Sequence, residues 1–495
     1  MLRREVLAKK IIEKATSRGY TVTKGALEIL ERAEAPFEVL EEAMRRLERS
    51  GAMIIDERLL TELVGEVGVT GESLVVAEEG EMGEAEEVPE DLMVEVDERF
   101  LAEWRIQGTF EEFQRYFSSR YEKLSGLLRE RLRGVISLRE AMRLRESQEA
   151  NVIVMLIEKK ESEKAWILRV DDPSGEHRII APKDGVSGDS PEQLLPDMVI
   201  GARVVKSGET LIARELILPD LAAERLEKMS QEALICMISD IHAGSKHFRE
   251  DLFENFLDWI NREDDPEARN VRLLIIAGDV VDGAGVYPNQ HKELETFSVE
   301  EQFEKLARLL SEIPERVKII MGPGNHDPVQ RALPQPPLPE KYRAILEKSG
   351  RSLIFVGNPA WIRISGRTFL IYHGQGMDDV IQQVPGFSHS SLERDLGEVL
   401  KLVLRCRHLC PIYGETTPII PTPEDMLVID RVPHVFHTGH VHVAYAGSYR
   451  GVRIINSGTW QEQTSYQRSV GLEPTVGAMA LINLGDLSIK LRRFI

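Results

Sequence analysis

Five short clusters of aspartate, asparagine and histidine hold the residues best suited to chemistry: Asp240-Ile241-His242, Gly278-Asp279-Val280-Val281-Asp282-Gly283, Gly324-Asn325-His326-Asp327, His373-Gly374 and Gly439-His440-Val441-His442. Carboxylate and carboxamide oxygens with neutral imidazoles suit manganese, iron or zinc, and the absence of thiolates argues against a structural zinc. Two such ions about 3.5–4 Å apart clamp a phosphoryl group and lower the pKa of water towards about 7, so the residue types point to metal-assisted hydrolysis. One carboxylate has to bridge the ions, and Asp279 is the choice because its loop is tight and flanked by glycine. In Asp240-x-His242 and His440-x-His442 the alternating spacing puts both side chains of each pair on one side of an extended segment, so one strand end supplies two ligands. The other seven histidines, His177, His247, His291, His389, His408, His434 and His437, lack matching partners and are read as ordinary surface or buried residues. Asp327 and Lys246 are given local structural roles, and Cys406 and Cys410 are read as two reduced thiols because their spacing is wrong for a zinc knuckle.

The elements that must position these clusters are apolar runs. ALICMIS leads into Asp240, VRLLIIA into Gly278, RVKIIM into the Asn325 cluster, FLIY into His373 and HVFHT into Gly439, with VRIIN as a further strand. They alternate with the helical stretches FENFLDWINRE and EEQFEKLARLLSEI, which predicts a layered α/β domain over 232–495. Ligands of open α/β sheets bind beyond the carboxyl ends of the strands, so the five clusters are expected to converge. Upstream, 1–66 has apolar residues at helical spacing and is predicted to be a small all-α module, 67–98 an acidic flexible linker, and 99–150 a helical connector. Residues 151–220 change period to five short β-branched runs, which suit a five-stranded barrel of the oligonucleotide-binding (OB) type. Trp166 is its one aromatic platform, which favours a structural or protein-contact barrel over one that binds single strands.

Composition sets the limits. A chain of 495 residues exceeds what one core supports, so several domains are expected. Its formal charge is −20, and twelve acidic residues with no lysine or arginine among them fall between Glu72 and Glu98. The rest is only mildly acidic, so a nucleic acid substrate is compatible with the charge, through a local patch or bound metal. No apolar run is long enough to span a bilayer, the N-terminus has no signal-peptide character, and three cysteines do not make a disulfide framework; a cytoplasmic location without membrane contact is expected.

The motif order DxH, GDxxDG, GNHD, HG and GHxH resembles the calcineurin-like metallophosphoesterase superfamily over about residues 232–470. The segments GNHDPVQRALPQPPLPE, RHLCPIYGETTPIIPTPEDMLVIDRVPHVFHTGHVH and INSGTWQEQTSYQ, with the domain order, further resemble the small subunits of archaeal family D DNA polymerases. That resemblance implies that Asp240, His242, Asp279 and His442 hold one metal, and Asp279, Asn325, His373 and His440 the other. It implies that His326 protonates the leaving oxygen or stabilises charge in the transition state, that Asp282 orients His326, and that a water between the ions attacks in line. It also implies two divalent ions, manganese first with iron or zinc as alternatives, a 3′→5′ exonuclease acting on single-stranded or mispaired DNA ends, and a large catalytic polymerase subunit as partner. The related accessory subunits of eukaryotic replicative polymerases have lost ligands, whereas every ligand is kept here.

Pro334, Pro336, Pro337 and Pro339 stiffen the segment after the Asn325 cluster into a wall that would separate a strand end from a duplex. Arg331 is a candidate phosphate contact, and Tyr413 and Trp460 are candidates for base stacking. Two alternatives stand beside the exonuclease. A break-repair nuclease of the same superfamily is disfavoured because about 230 residues precede the motifs, and a non-catalytic scaffold subunit is disfavoured by the intact ligand set.

Overall fold

A computed structural model describes residues 92–495, apart from 103, 224–227 and 230–232, together with a few positions between 21 and 60. The chain divides into two units, Met1–Met82 and Gly83–Ile495. In the first, the described helical positions include buried Ala26, Leu30, Leu40, Ala43 and Leu60. The all-α expectation for 1–66 needs one correction, because Thr21–Val22 pairs in parallel with Ile54–Ile55, β-branched residues that favour a pleated backbone. Most of that module, and the acidic tract up to Asp91, lie outside the described residues.

The second unit is built on two six-stranded sheets packed face to face. One runs Leu353–Phe355, Lys318–Gly322, Val271–Ala277, Leu234–Ile238, Ala478–Asn483, Ile489–Arg493; its first four strands are parallel. The other runs Ala444–Tyr449, Val452–Ser457, Val435–Thr438, Arg367–Ile371, Ala360–Ile364, Val94–Val96, with its second, third and fourth strands parallel. Alternation fixes both faces. Ile235, Met237, Leu273, Ile275 and Ile320 meet Ile362, Phe369, Ile371, Val435 and Ile455 between the sheets. Their neighbours Cys236, Ile238, Leu274 and Ile276 face outward onto helices Glu250–Ile260 and Val299–Ser311, through Phe253, Phe256, Phe303 and Leu306. On the far side, helix Leu392–Cys406 covers Leu370, Phe436 and Ile454. The sites where parallel strands end are level, since Ile238 pairs with Ile276, Ala277 with Gly322 and Ile371 with His437.

Val94–Val96 corrects the expected linker boundary. Inside the acid-rich tract, Leu92-Met93-Val94-Glu95-Val96 alternates, and its apolar side seals the sheet edge at Ile362 and Ile364, with Leu92 in the inter-sheet core.

Helix Phe110–Arg131, capped by a Thr109–Glu112 capping box, and the short helix Leu138–Met142 form the connector. Strands Glu149–Glu161, Ala165–Asp172, Gly175–Pro182, Val199–Ser207 and Thr210–Ile217 follow and close into a barrel, the third pairing in parallel with the fifth. Trp166 is buried in the apolar cluster that fills the barrel and runs on beneath helix Leu392–Cys406. A second tie is ionic: Arg120, fully buried, donates to the Asp425 carboxylate at 2.7 Å and to the Pro411 carbonyl at 2.6 Å, while His408 Nε2 pairs with the same carboxylate at 2.9 Å. Among the described residues no helix is long and apolar enough to cross a membrane.

Candidate metal centre

All five clusters meet at the rim of the two sheets, the first three from one sheet and the last two from the other. Loop-to-loop bonds set them: Asp240 N donates to Gly278 O and His242 N to Asp279 O, both at 3.0 Å, and Gly439 N donates to His373 O at 2.8 Å. His373 reaches across the sheets, its Nδ1 bonded to the Ala277 carbonyl at 2.8 Å. The way Asp240-x-His242 and His440-x-His442 deliver their side chains differs from the extended segment expected. Asp240, His242, Asp279, His440 and His442 all adopt left-handed backbone, with φ between 50° and 68°. Non-glycine residues rarely take that conformation outside Asn, Asp and His, and it collects at sites where the surrounding fold enforces it. A Cβ on Gly324 would collide with the Asp279 carboxylate, and one on Gly439 with Asp240, which explains the glycines beside the ligands.

Among the described residues three groups of donors form: Asp240, His242 and His442; Asp279, His373 and His440, with Asn325 against it; and His242, Asp282 and His326. Asp279 Oδ2 lies 3.2 Å from His373 Nε2 and 3.8 Å from His242 Nε2, between the groups, while its Oδ1 accepts from the His326 amide at 2.7 Å. His242 Nε2 faces His442 Nε2 at 3.1 Å, and Asn325 Oδ1 stands 3.0 Å from His373 Nε2 and 2.9 Å from His440 Nδ1. Asp240 Oδ1 is buried with no hydrogen-bond partner and sits 3.2 Å from His442 Nε2. Lone pairs aimed at one another, around an orphaned buried oxygen, are what a cation between them satisfies, so the donor set fits divalent metal.

Electrostatics agree. Burial opposes charge on His242 and His373, but Asp240, Asp282 and Asp279 around the first and Asp279 beside the second outweigh it, raising them to about 10 and about 9. Burial likewise opposes charge on Asp240 and Asp279, and the imidazoles, His442 and His373 foremost, hold both carboxyls well below the usual range. Protons here stand where cations would go.

Asp282 differs from its implied part. Its Oδ1 is bonded to His242 Nδ1 at 2.9 Å and accepts from Gln461 Nε2 at 3.1 Å, leaving His326 Nδ1 3.7 Å away. His326 Nδ1 bonds instead to the Asp282 backbone carbonyl at 3.0 Å. Asp282 therefore steers a candidate ligand with its side chain and His326 with its main chain. Asp327 has a structural place, accepting from the amides of Val280, Val281 and Gly324. Burial and the neighbouring Asp279 push its carboxyl up to about 7. Lys246 turns to the Lys292 carbonyl.

The centre opens into a cavity of about 1030 Å³ whose lining includes Arg331, Lys292, Tyr287, Tyr466, Pro418 and His326. Arg331 is thus placed beside the centre. The two stacking candidates are not. Trp460 is fully buried among Phe253, Phe256 and Phe494. Tyr413 packs on Phe113, Tyr116 and Phe117 with its hydroxyl on the Ile419 carbonyl. Tyr287, its ring 5.9 Å from that of His326, and Tyr466, 62% exposed, take their place at the mouth. The proline segment is pinned by bridges from Leu333 to Ile419 and Gln335 to Asn358, next to Arg331. Sequence reasoning also missed Asp378 and His389, which bond to each other and line the cavity, and Gln467, whose Nε2 lies 2.8 Å from His442 Nδ1. Asp378 stands five residues after His373, a signal available but unread.

Over 497 residues the chain is 33% identical to the DNA polymerase II small subunit of Archaeoglobus fulgidus, covering 99% of each. The chain belongs to the archaeal DNA polymerase II small subunit family. The Methanothermobacter thermautotrophicus member is 38% identical over 76% of this chain and 78% of its own. The Pyrococcus furiosus member is 38% identical over 77% of this chain, which spans 63% of that relative's length. Residues 235–446, which contain all five clusters, match the family model for the B subunit of DNA polymerase alpha/epsilon. Among solved structures, an archaeal phosphodiesterase aligns with 52% of this chain and 98% of its own at 16% identity and a TM-score of 0.27.

Proposed function

We propose that this small subunit is a dinuclear-metal 3′→5′ exonuclease that hydrolyses phosphodiester bonds at single-stranded or mispaired DNA 3′ ends and docks onto the large catalytic subunit of the polymerase. The observation that carries it is the adjacency of two donor groups at the floor of an open cavity, with Asp279 Oδ2 lying between His373 of one and His242 of the other. Asp240, His242, Asp279 and His442 would hold one ion, and Asp279, Asn325, His373 and His440 the other, with manganese the first choice. When bound, such a pair supplies Lewis acidity to the phosphoryl oxygens and acidifies water.

The chain's own residues do the rest. Arg331 and Lys292 offer positive charge for the flanking phosphates, and Tyr287 and Tyr466 offer faces on which unpaired bases stack, whereas a paired terminus keeps its bases inside the duplex. The pinned proline segment is the wall against that duplex. His326 has Nδ1 committed to the Asp282 carbonyl, so Nε2 is the atom that handles a proton. Burial lowers its pKa, making the neutral ring the resting form; a bound phosphodiester supplies the negative charge that draws a proton onto Nε2 for delivery to the leaving oxygen. The barrel, of the OB type in strand order, presents no exposed tryptophan and shares its core with the sheet domain, which supports a protein-contact role.

The test uses the purified chain with Mn²⁺ on mispaired primers labelled at the 3′ or 5′ end, with and without the large subunit. Release of the 3′ label as mononucleotide is expected. Prior loss of the 5′ label overturns the polarity, and retention of both labels even with the large subunit leaves a scaffold.

A further inference from the structure

His440 offers the opposite nitrogen to the centre from His242 and His373. Those two commit Nδ1, to the Asp282 carboxylate and the Ala277 carbonyl, and present Nε2. His440 presents Nδ1, 2.9 Å from Asn325 Oδ1, and points Nε2 away from the centre. An imidazole presents the nitrogen left over after its other nitrogen has donated, so a reversed ring needs an acceptor on its Nε2 side. Asp378 supplies it: Oδ2 lies 2.9 Å from His440 Nε2, while Oδ1 lies 3.1 Å from His389 Nε2. Asp378 comes from helix Met377–Gln383, and His389 from the short turn His389–Ser391, outside the five clusters.

We propose that Asp378 is a positioning residue that fixes His440 as the Nε2–H tautomer and so keeps Nδ1 free for the second donor group, with His389 holding Asp378 in place. The inference deepens the dinuclear reading and rests on it for its metal arm alone. His389 couples the arrangement to the cavity wall, so the segment carrying it and the centre share one hydrogen-bonded line from His389 through Asp378 to His440.

Two measurements on the full chain test this. In the metal-free protein labelled with ¹⁵N-histidine, the signal missing from His440→Ala reports the tautomer: Nε2–H in the wild type, a mixture in Asp378→Ala, and Nε2–H again in Asp378→Asn, whose carbonyl oxygen still accepts. In Mn²⁺ titrations by calorimetry, Asp378→Ala is expected to bind one ion as the wild type does and the other about 10–100-fold more weakly, with Asp378→Asn recovering most of the loss. His389→Ala is expected to fall between. An unchanged tautomer in Asp378→Ala overturns the proposal, as does equal weakening of both ions accompanied by a lower metal-free melting temperature. A wild-type chain that takes up fewer than two ions overturns the dinuclear reading instead, and the tautomer measurement still decides the part played by Asp378.

Discussion

Each imidazole at the centre is told by a different neighbour which nitrogen to offer, and in the proposed exonuclease this division of labour separates residues that would hold metal from residues that would move protons. His326 is assigned there to the second kind. Its backbone amide anchors Asp279 Oδ1 while its ring meets a carbonyl, and it clusters with His242 and Asp282 but not with Asp279. His326→Ala should lower the turnover of 3′ ends by about 10²–10⁴-fold while elemental analysis finds the wild-type metal content. Asp279 belongs to the first kind. In the wild type, Mn²⁺ at about 100 times its Kd should add about 2.7 kcal/mol of stability. In Asp279→Ala that gain should vanish from thermal melts, and the metal-free variant should melt lower than the wild type near neutral pH, because His373 and His242 lose the buried carboxylate that pairs with them. Most of these residues could be found from sequence because chemistry confines them to a few types in a recurring order. The backbone that presents them could not. Asp240-x-His242 looks like alternation in an extended strand, yet left-handed φ at both residues does the work. Trp460 looked like an exposed platform because aromatic type does not reveal burial, and its packing partners lie some 200 residues earlier, on helix Glu250–Ile260.

At the scale of elements, the strands were legible because their apolar runs are long and each ends in a polar cluster, and the five barrel strands because β-branched runs alternate with polar breaks. Val94–Val96 was hidden because its alternation lasts only a few residues within a run of acids, and the sheet edge it covers is formed by residues far along the chain. The tie between helix Phe110–Arg131 and the sheet domain was equally invisible, since nothing local to Arg120 announces Asp425. That tie is strong because every group in it is satisfied, with Tyr116 and Pro411 taking the remaining guanidinium donors. Arg120→Ala leaves Asp425 buried without its cation and should cost about 3–5 kcal/mol in denaturant titrations. Replacing both partners by apolar residues of similar size, Arg120→Met with Asp425→Leu, should recover most of the loss.

For the whole molecule, buried titratable groups give the metal-free chain a stability maximum near neutrality. Burial lowers His408 to about 4 and His437 to about 3, so from about pH 6.5 downward the unfolded chain takes up protons that the folded one refuses. Asp327, raised to about 7, works the other way over the same range, but His326 and His442, also lowered by burial, add to the histidine side, so stability falls as pH falls. Above 6.5 the sign reverses, since His242 and His373 keep their protons to about 10 and about 9 in the folded state and the unfolded chain does not. Melting temperature in chelator should therefore peak near pH 6.5 and fall from there towards about pH 9 and 10, and Mn²⁺ should flatten the alkaline side by replacing those protons.

The left-handed backbone at positions 240, 242, 279, 440 and 442 restricts what could replace these residues in a descendant that lost the cluster of donors but kept its shape. A leucine or valine would pay for the empty centre twice, once in the main chain and once in packing. Such a chain should carry glycine or asparagine at these five places more often than any aliphatic residue, leaving a record of the lost donors written in loop conformation instead of in missing acids.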